Sequence, residues 1–279
     1  MPDLSANINH TLASDALSID HVVAQVANLE HAAQRMRDAG FTLSPRSDLS
    51  NVGVANHLVL FEPVDWSCAS YFELMIPTVP LNALHPSMAK VLAGKPAWRW
   101  LVLATRNALV SHQRLTADGV VMPAPLHVRR QWMISPSESV WPEFDVTFPC
   151  DERLPFNLCQ YHNVSLYQRA EWMRHPNGAR QLAAVIAVDP QPEVTARDYA
   201  RWFGTKAHRL PTGDWRVAGH PTCLEIWSLD ALTAHYGIAA RAAGYVGIRV
   251  RYPGPHRVEW LLPEVDGFIE FVNERDAVN

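Results

Sequence analysis

The chain has 279 residues, 48% of them hydrophobic, enough to bury a substantial core in one large unit or two ordinary ones. Its formal net charge of -4 and pI near 6.3 give no general attraction to nucleic acid or to an anionic membrane. The four cysteines, Cys68, Cys150, Cys159 and Cys223, form no CxxC pair, which excludes a zinc ribbon and a small disulfide scaffold; reduced thiols in a cytoplasmic protein are expected.

The N-terminal stretch MPDLSANINHTLASDA lacks a basic region followed by an apolar one, so it does not read as a secretory signal. LAAVIAV at 182–188, the longest strongly apolar run, is too short to cross a bilayer. Residues 18–26 alternate as a strand, with Ile19, His21, Val23 and Gln25 on one face and Asp20, Val22, Ala24 and Val26 on the other. Asn28 then suits a helix N-cap, Leu29, Ala32, Ala33 and Met36 follow at helical spacing, and Gly40 suits the stop. FTLSP (41–45), ANHLVLFEP (55–63) and SYFELMIP (70–77) read as three further strands.

This order repeats. RNALVSHQRLTADGV (106–120) overlies ANLEHAAQRMRDAGF (27–41) without a gap at an offset of 79, matching Asn107 to Asn28 and Gly119 to Gly40. WRWLVLAT (98–105) then overlies IDHVVAQV, and strands are expected at 119–128, 130–135, 144–149 and 155–163. A third unit starts with RQLAAVIAVD (180–189), followed by a helix through Val194, Tyr199, Ala200 and Phe203 to Gly204. A fourth has strands at 244–252 and 266–274, its helix shortened or replaced by PGPHRVEW. The expected fold is α+β: about four βαβββ modules, the last degenerate. Two modules fall in 12–165 and two weaker ones in 180–275, joined by a connector over 166–179 that carries a Pro-Asn-Gly turn.

IDHVVAQVANLEHAAQRMRDAGF, GVANHLVLF, YFELM and HPNGARQLAAV (175–185) resemble the glyoxalase-like-domain proteins of the vicinal oxygen chelate superfamily, which includes glyoxalases, extradiol dioxygenases and bleomycin-resistance proteins. The resemblance implies that the modules build paired curved mixed sheets around a cleft, where in metal-using relatives a first-strand His and a last-strand Glu bind a divalent cation. His21 and Glu73 stand at those two positions, and imidazole with carboxylate suits Zn, Mn, Fe or Ni. A core His hydrogen-bonded to a buried Glu is the alternative.

In the second module Trp100 falls over His21, so one expected ligand is missing. Gln160, near the second Glu position, or His162, two residues along, could complete the shell. The first strand of the third module has Ala183 or Ala184 at the His21 position, and the fourth has Gly247. Glu270 matches Glu73 by context but lacks a His partner, which disfavours an extradiol-type site there. Glu73 and His57 are the candidate proton-transfer groups. Tyr71, Trp100, Arg99 and Asn163 are candidate substrate contacts; Arg129 and Arg130 could hold an anion, though as a pair they read as exposed charges. No P-loop, GxGxxG after a strand, GxSxG or HExxH is present.

The expected activity is that of a divalent-metal-dependent lyase or isomerase on a small oxygen-chelating substrate. Its rivals are a metal-free binding protein that sequesters a small ligand in the same cleft, and a degenerate scaffold acting through dimerisation. A small-molecule partner is expected, with no nucleic acid or membrane, and a homodimer is left open.

Overall fold

The computed structural model describes residues 16–63, 68–219, 221–237 and 243–275. Residues 1–15 of the N-terminal stretch read above, including the first residues of the unit begun at 12, lie outside them.

The first module runs β1 (Ser18–Gln25), α1 (Leu29–Asp38), β2 (Ser47–Leu49), β3 (Val54–Leu60) and β4 (Tyr71–Pro77). Asn28 caps α1 by accepting the His31 amide at 2.9 Å, and Leu29, Ala32, Ala33 and Met36 are its buried face. A short helix, α2 (Pro86–Leu92), leads to the second module: β5 (Ala97–Ala104), α3 (Ala108–Ala117), β6 (Leu126–Arg129), the hairpin β7 (Trp132–Ser135) and β8 (Glu138–Val140), β9 (Glu143–Val146) and β10 (Phe156–Tyr161). Asn107 caps α3 through the Val110 amide as Asn28 caps α1, in keeping with the sequence overlay.

The third module is β11 (Gln181–Val188), α4 (Pro192–Phe203), β12 (Ala207–Arg209), β13 (Trp215–Val217) and β14 (Cys223–Trp227). After α5 (Leu229–Tyr236) come β15 (Gly244–Tyr252), β16 (Arg257–Glu259) and β17 (Phe268–Asn273), with no helix between β15 and β16. The last module is therefore degenerate in the expected way.

One predicted strand is not formed and another is shortened. FTLSP touches β3 only at Ser44, whose amide donates to the Leu58 carbonyl at 2.8 Å while its Oγ, not its carbonyl, accepts the Leu58 amide at 2.9 Å, and Pro45 cannot donate to extend the ladder. In 119–128 only Leu126 onward pairs, since Pro123 and Pro125 cannot donate to a ladder.

The strands form two large mixed sheets, ordered β2-β3-β4-β1-β5-β10-β9-β6 and β12-β13-β14-β11-β15-β17-β16. In the first, β1 runs parallel to β4, β5 parallel to β10, and β1 meets β5 antiparallel at the centre, so the two modules are related by an approximate two-fold. The second sheet repeats this with β11, β14, β15 and β17. One face of each sheet supplies a shared core: Val22, Phe72, Leu101 and Phe156 belong to the same apolar cluster as Val185, Leu224, Ile248 and Phe271, together with α1 and α4. The other face of the first sheet is left to line a cleft. Among the described residues no helix is long and apolar enough to cross a membrane.

The HPNGA segment fastens the connector to the first module. His175 accepts the Thr42 amide at Nδ1 (3.0 Å) and meets the Leu60 carbonyl through Nε2 (2.8 Å). Burial pushes its pKa down to about 4. Gly40 is at φ +80°, and a side chain there would meet Asn177 Cβ at 2.9 Å, so this crossing needs glycine on two counts.

Candidate active site

The site begins with a departure from strand alternation. Opposite β5, the register of β1 slips between Ile19 and His21, leaving Asp20 as the extra residue of a β-bulge. Strict alternation would place Asp20 and His21 on opposite faces. Instead the Asp20 carboxylate Oδ2 accepts a hydrogen bond from His21 Nδ1 at 2.6 Å. Asp20 is wholly buried and also accepts from the Ala69 amide and the Tyr161 hydroxyl, each at 2.7 Å.

With Nδ1 engaged, His21 presents Nε2 to Glu73 Oε2 at 3.4 Å. The other Glu73 oxygen, Oε1, accepts from Asn56 Nδ2 at 2.7 Å. The Tyr71 ring stacks on the imidazole, with centroids 4.0 Å apart, and its hydroxyl lies 3.3 Å from that of Tyr161. Burial opposes a charge on His21, but the hydrogen bonds and charges of Asp20 and Glu73 outweigh it and raise its pKa. Burial and the nearby carboxylates push both tyrosines well above their ordinary range, so they stay protonated donors.

These groups open onto a cleft walled by apolar side chains of β3, β5, β6 and β9, among them Val54, Leu58, Val102, Val128 and Phe144, with Met88 of α2 on its margin. Of the residues singled out in the sequence, His21, Glu73, Tyr71 and Trp100 all line this cleft. Gln160, His162, His57, Arg99, Asn163 and Arg129 do not. Gln160 points to the helix side of the sheet, where Oε1 accepts the Ala108 amide at 2.8 Å. His162 bonds Asp145 Oδ2 at 3.0 Å and, with His127, forms a cluster on the side of the sheet away from the cleft, its ligand atoms within 4.8 Å of one another. His57 is buried on the face of β3 opposite Asn56 and Leu58, its Nδ1 2.8 Å from the Ser44 carbonyl, and burial lowers its pKa. Arg99 bonds Gln25 at 2.7 Å outside the cleft, and Asn163 ties the loop backbone at Glu143 and Trp141. Arg129 is exposed, whereas Arg130 is buried and lines the cleft, so the expectation of two surface charges is corrected for Arg130.

Strand register also identifies a residue the sequence reading missed. Val22 lies opposite both Leu101 and Phe72, and Leu101 opposite Phe156, so the two-fold carries Phe72 onto Phe156 and Glu73 onto Asn157. The second-module counterpart of Glu73 is thus Asn157, not Gln160. Asn157 is buried on the cleft face; its Nδ2 donates to the Thr147 carbonyl at 2.9 Å while its Oδ1 has no partner. No spacing in the sequence distinguishes 157 from 160, because the offset of 79, which still holds at Gly40 and Gly119, is broken by the irregular segment that follows Gly119.

In the second sheet the same registers hold carboxylates. Ala184 opposite Arg249 and Cys223 corresponds to His21, while Glu225 and Glu270 fall on Glu73 and Asn157. A cation of the chain's own sits between them: Arg249 contacts Glu225 at 2.6 Å and Glu270 at 2.8 Å, with Arg216 and Tyr236 completing the network. Arg249 stands at the register of Val102 in the first sheet.

The first cleft has the donors for a small divalent cation. His21 Nε2 and Glu73 Oε2 are close enough to share an ion whose bonds to nitrogen and oxygen run about 2.0–2.2 Å. The orphaned Asn157 Oδ1 faces the same cleft, and Asp20 on Nδ1 is the kind of outer partner that orients a metal-binding imidazole.

Paired βαβββ modules around a cleft, with an imidazole and a carboxylate at the two central register positions, define the vicinal oxygen chelate class. The glyoxalase-like domain family model matches residues 19–203, and the chain belongs to that family. Among solved structures, it is similar to a hypothetical protein from Staphylococcus aureus, at TM-score 0.69 and 10% identity over 92% of this chain and 99% of that one. A variant of 4-hydroxymandelate synthase from Streptomyces coelicolor aligns at TM-score 0.52 and 12% identity, over 86% of this chain and 72% of that one. A xylose isomerase-like TIM barrel/4-hydroxyphenylpyruvate dioxygenase fusion protein aligns at 0.54 and 11%, over 95% and 51%. At these identities the likeness concerns the fold. No curated protein sequence matches significantly.

Proposed function

We propose that the first cleft is the active site of a divalent-metal-dependent lyase or isomerase acting on a small substrate with vicinal oxygens. The observation that carries this reading is His21 Nε2, held by Asp20 behind it, facing Glu73 Oε2 at 3.4 Å on the cleft surface. His21, Glu73 and Asn157 would hold the cation. One imidazole and two oxygens without a thiolate suit Zn, Mn, Fe or Ni. Such an ion supplies Lewis-acid polarisation of substrate oxygens.

The chain's own residues then orient and exchange protons. Glu73 is the only carboxylate lining the cleft among the described residues, so proton transfer to or from a substrate falls to its Oε2. Asn56 fixes Oε1 and thereby the plane of the carboxylate. Tyr71 packs against the imidazole and offers a neutral hydroxyl at the cleft. The apolar walls exclude water, which strengthens each of these polar interactions. His57 has no part in this, because its ring lies behind the sheet.

Trp100 in place of a second imidazole favours the other reading, a metal-free binding cleft. Elemental analysis and calorimetric titration with Zn, Mn, Fe and Ni separate the two. One ion per chain is expected in the His162→Ala protein, which removes the cluster behind the sheet, and none when His21→Ala or Asn157→Leu is added to it. Absence of an ion from the His162→Ala protein, with ligands still bound in excess chelator, would establish the binding protein instead.

A further inference from the structure

Arg130 has no role in the reading above. It follows β6, is 8% exposed, and lines the same cleft as His21 and Glu73. Its Nε and Nη1 are buried without a hydrogen-bond partner, and no carboxylate among the described residues forms an ion pair with it. Trp132 lies beneath the guanidinium at 5.3 Å, and Tyr167 neighbours it. Tyr167 in turn packs on Tyr161, the residue that bonds Asp20. A line of aromatic side chains thus joins Arg130 to the His21 end of the cleft.

Burying a guanidinium without a counter-ion costs several kcal/mol. The second sheet shows what this chain does with arginines held for stability: Arg249 and Arg216 are both paired with carboxylates. Arg130 has the desolvation and the neutral Tyr167 hydroxyl beside it, but no carboxylate partner among the described residues. The group that would complete it is an anion brought by a ligand.

We infer that Arg130 is the recognition group for a single carboxylate on the substrate, whose apolar body lies along Val128, Phe144 and Val102. A planar carboxylate matches the fork of a guanidinium through two parallel hydrogen bonds. A phosphate dianion fits less well, because among the described residues Arg130 is the only cationic arginine or lysine lining the cleft. The wall beside it is apolar, which selects a hydrophobic acid over a polyanion. This assignment rests on the first cleft being the ligand site, but it does not require the cation.

The test uses the full chain in excess chelator, so that a metal cannot hold the anion. Benzoate, benzamide and inorganic phosphate are titrated by calorimetry into the wild type, Arg130→Met and Arg130→Lys. Benzoate is expected to bind at least tenfold more tightly than benzamide or phosphate. Arg130→Met should abolish that preference and Arg130→Lys restore part of it, because a point charge lacks the fork. Arg130→Met should also melt no lower than the wild type without ligand, since it removes an unpaired buried charge. Equal binding of benzoate and benzamide, a preference that survives in Arg130→Met, or tighter binding of phosphate would each overturn the inference. So would a large loss of stability in Arg130→Met, which would make Arg130 a structural residue. These outcomes are read without metal, so they are separable from failure of the cation-dependent reading, which the metal titrations of the His162→Ala protein decide.

Discussion

The two sheets put the same register positions to opposite uses. In the second, Glu225 and Glu270 close on Arg249, an internal cation, and the concave face is packed by Ile186, Val246, Phe268 and Leu232 of α5. Gly247 takes part in this closure: a side chain there would meet the Phe268 carbonyl at 2.7 Å. In the first sheet, Trp100 stands at the Gly247 register and Val102 at the Arg249 register. His21 and Glu73 keep their polar atoms facing a cleft instead of an arginine. In one sheet the charge cluster is satisfied from within; in the other the same register leaves an imidazole and a carboxylate facing a cleft.

Five measurements would break or sharpen this contrast, in descending order of effect. Arg249→Met should destabilise the protein by about 3–5 kcal/mol in urea unfolding, because Glu225 and Glu270 are left buried and unpaired. Adding Glu225→Gln and Glu270→Gln should recover part of that loss; no recovery would mean that packing, not charge, holds the second sheet.

Acid should loosen the molecule in two stages. His175 has a folded pKa depressed from 6.5 to about 4, so the unfolded chain binds its proton first. The stability this contributes is present above pH 6.5 and is lost as pH falls towards about 4, up to ~3 kcal/mol. Burial opposes ionisation of Glu270, but Arg249 outweighs it and holds the carboxyl below its ordinary 4.5; its contribution is present above that pH and lost below it. The first stage should vanish in His175→Gln, with the second unchanged, when unfolding is followed between pH 7 and pH 3.

Val102→Arg transplants the internal cation into the first sheet. It should weaken binding of a divalent ion at least a hundredfold, about 2.7 kcal/mol, while the protein stays folded. Persistence of ion binding would show that the two clefts are not equivalent at this register. Asp20→Asn should cost roughly ten- to a hundredfold in metal affinity, since it weakens the partner that orients His21. In the wild type, binding should weaken as pH falls through the raised pKa of His21, because the proton and the ion compete for Nε2.

Local signals carried much of this fold. Asn28 and Asn107 announced two helix starts, Gly40, Gly119 and Gly204 their ends, and the offset of 79 disclosed the repeat. His21 and Glu73 were readable because each falls near the middle of a strand whose apolar pattern fixes its face. The readings at Gln160, His162 and His57 placed polar residues by alternation in strands where only the register with a neighbour decides which face meets the cleft. Arg130 read as surface because charged pairs usually are.

The amino-acid sequence by itself determined the modules, their caps and the strand pair bearing His21 and Glu73, since periodicity and capping act within about a dozen residues. Only the tertiary structure decided what surrounds them. A one-residue bulge turns Asp20 onto His21, register across the strands makes Asn157 the counterpart of Glu73, and packing leaves Arg130 buried without a carboxylate partner among the described residues. Each of these depends on contacts between segments distant in sequence, where burial and pairing are settled together.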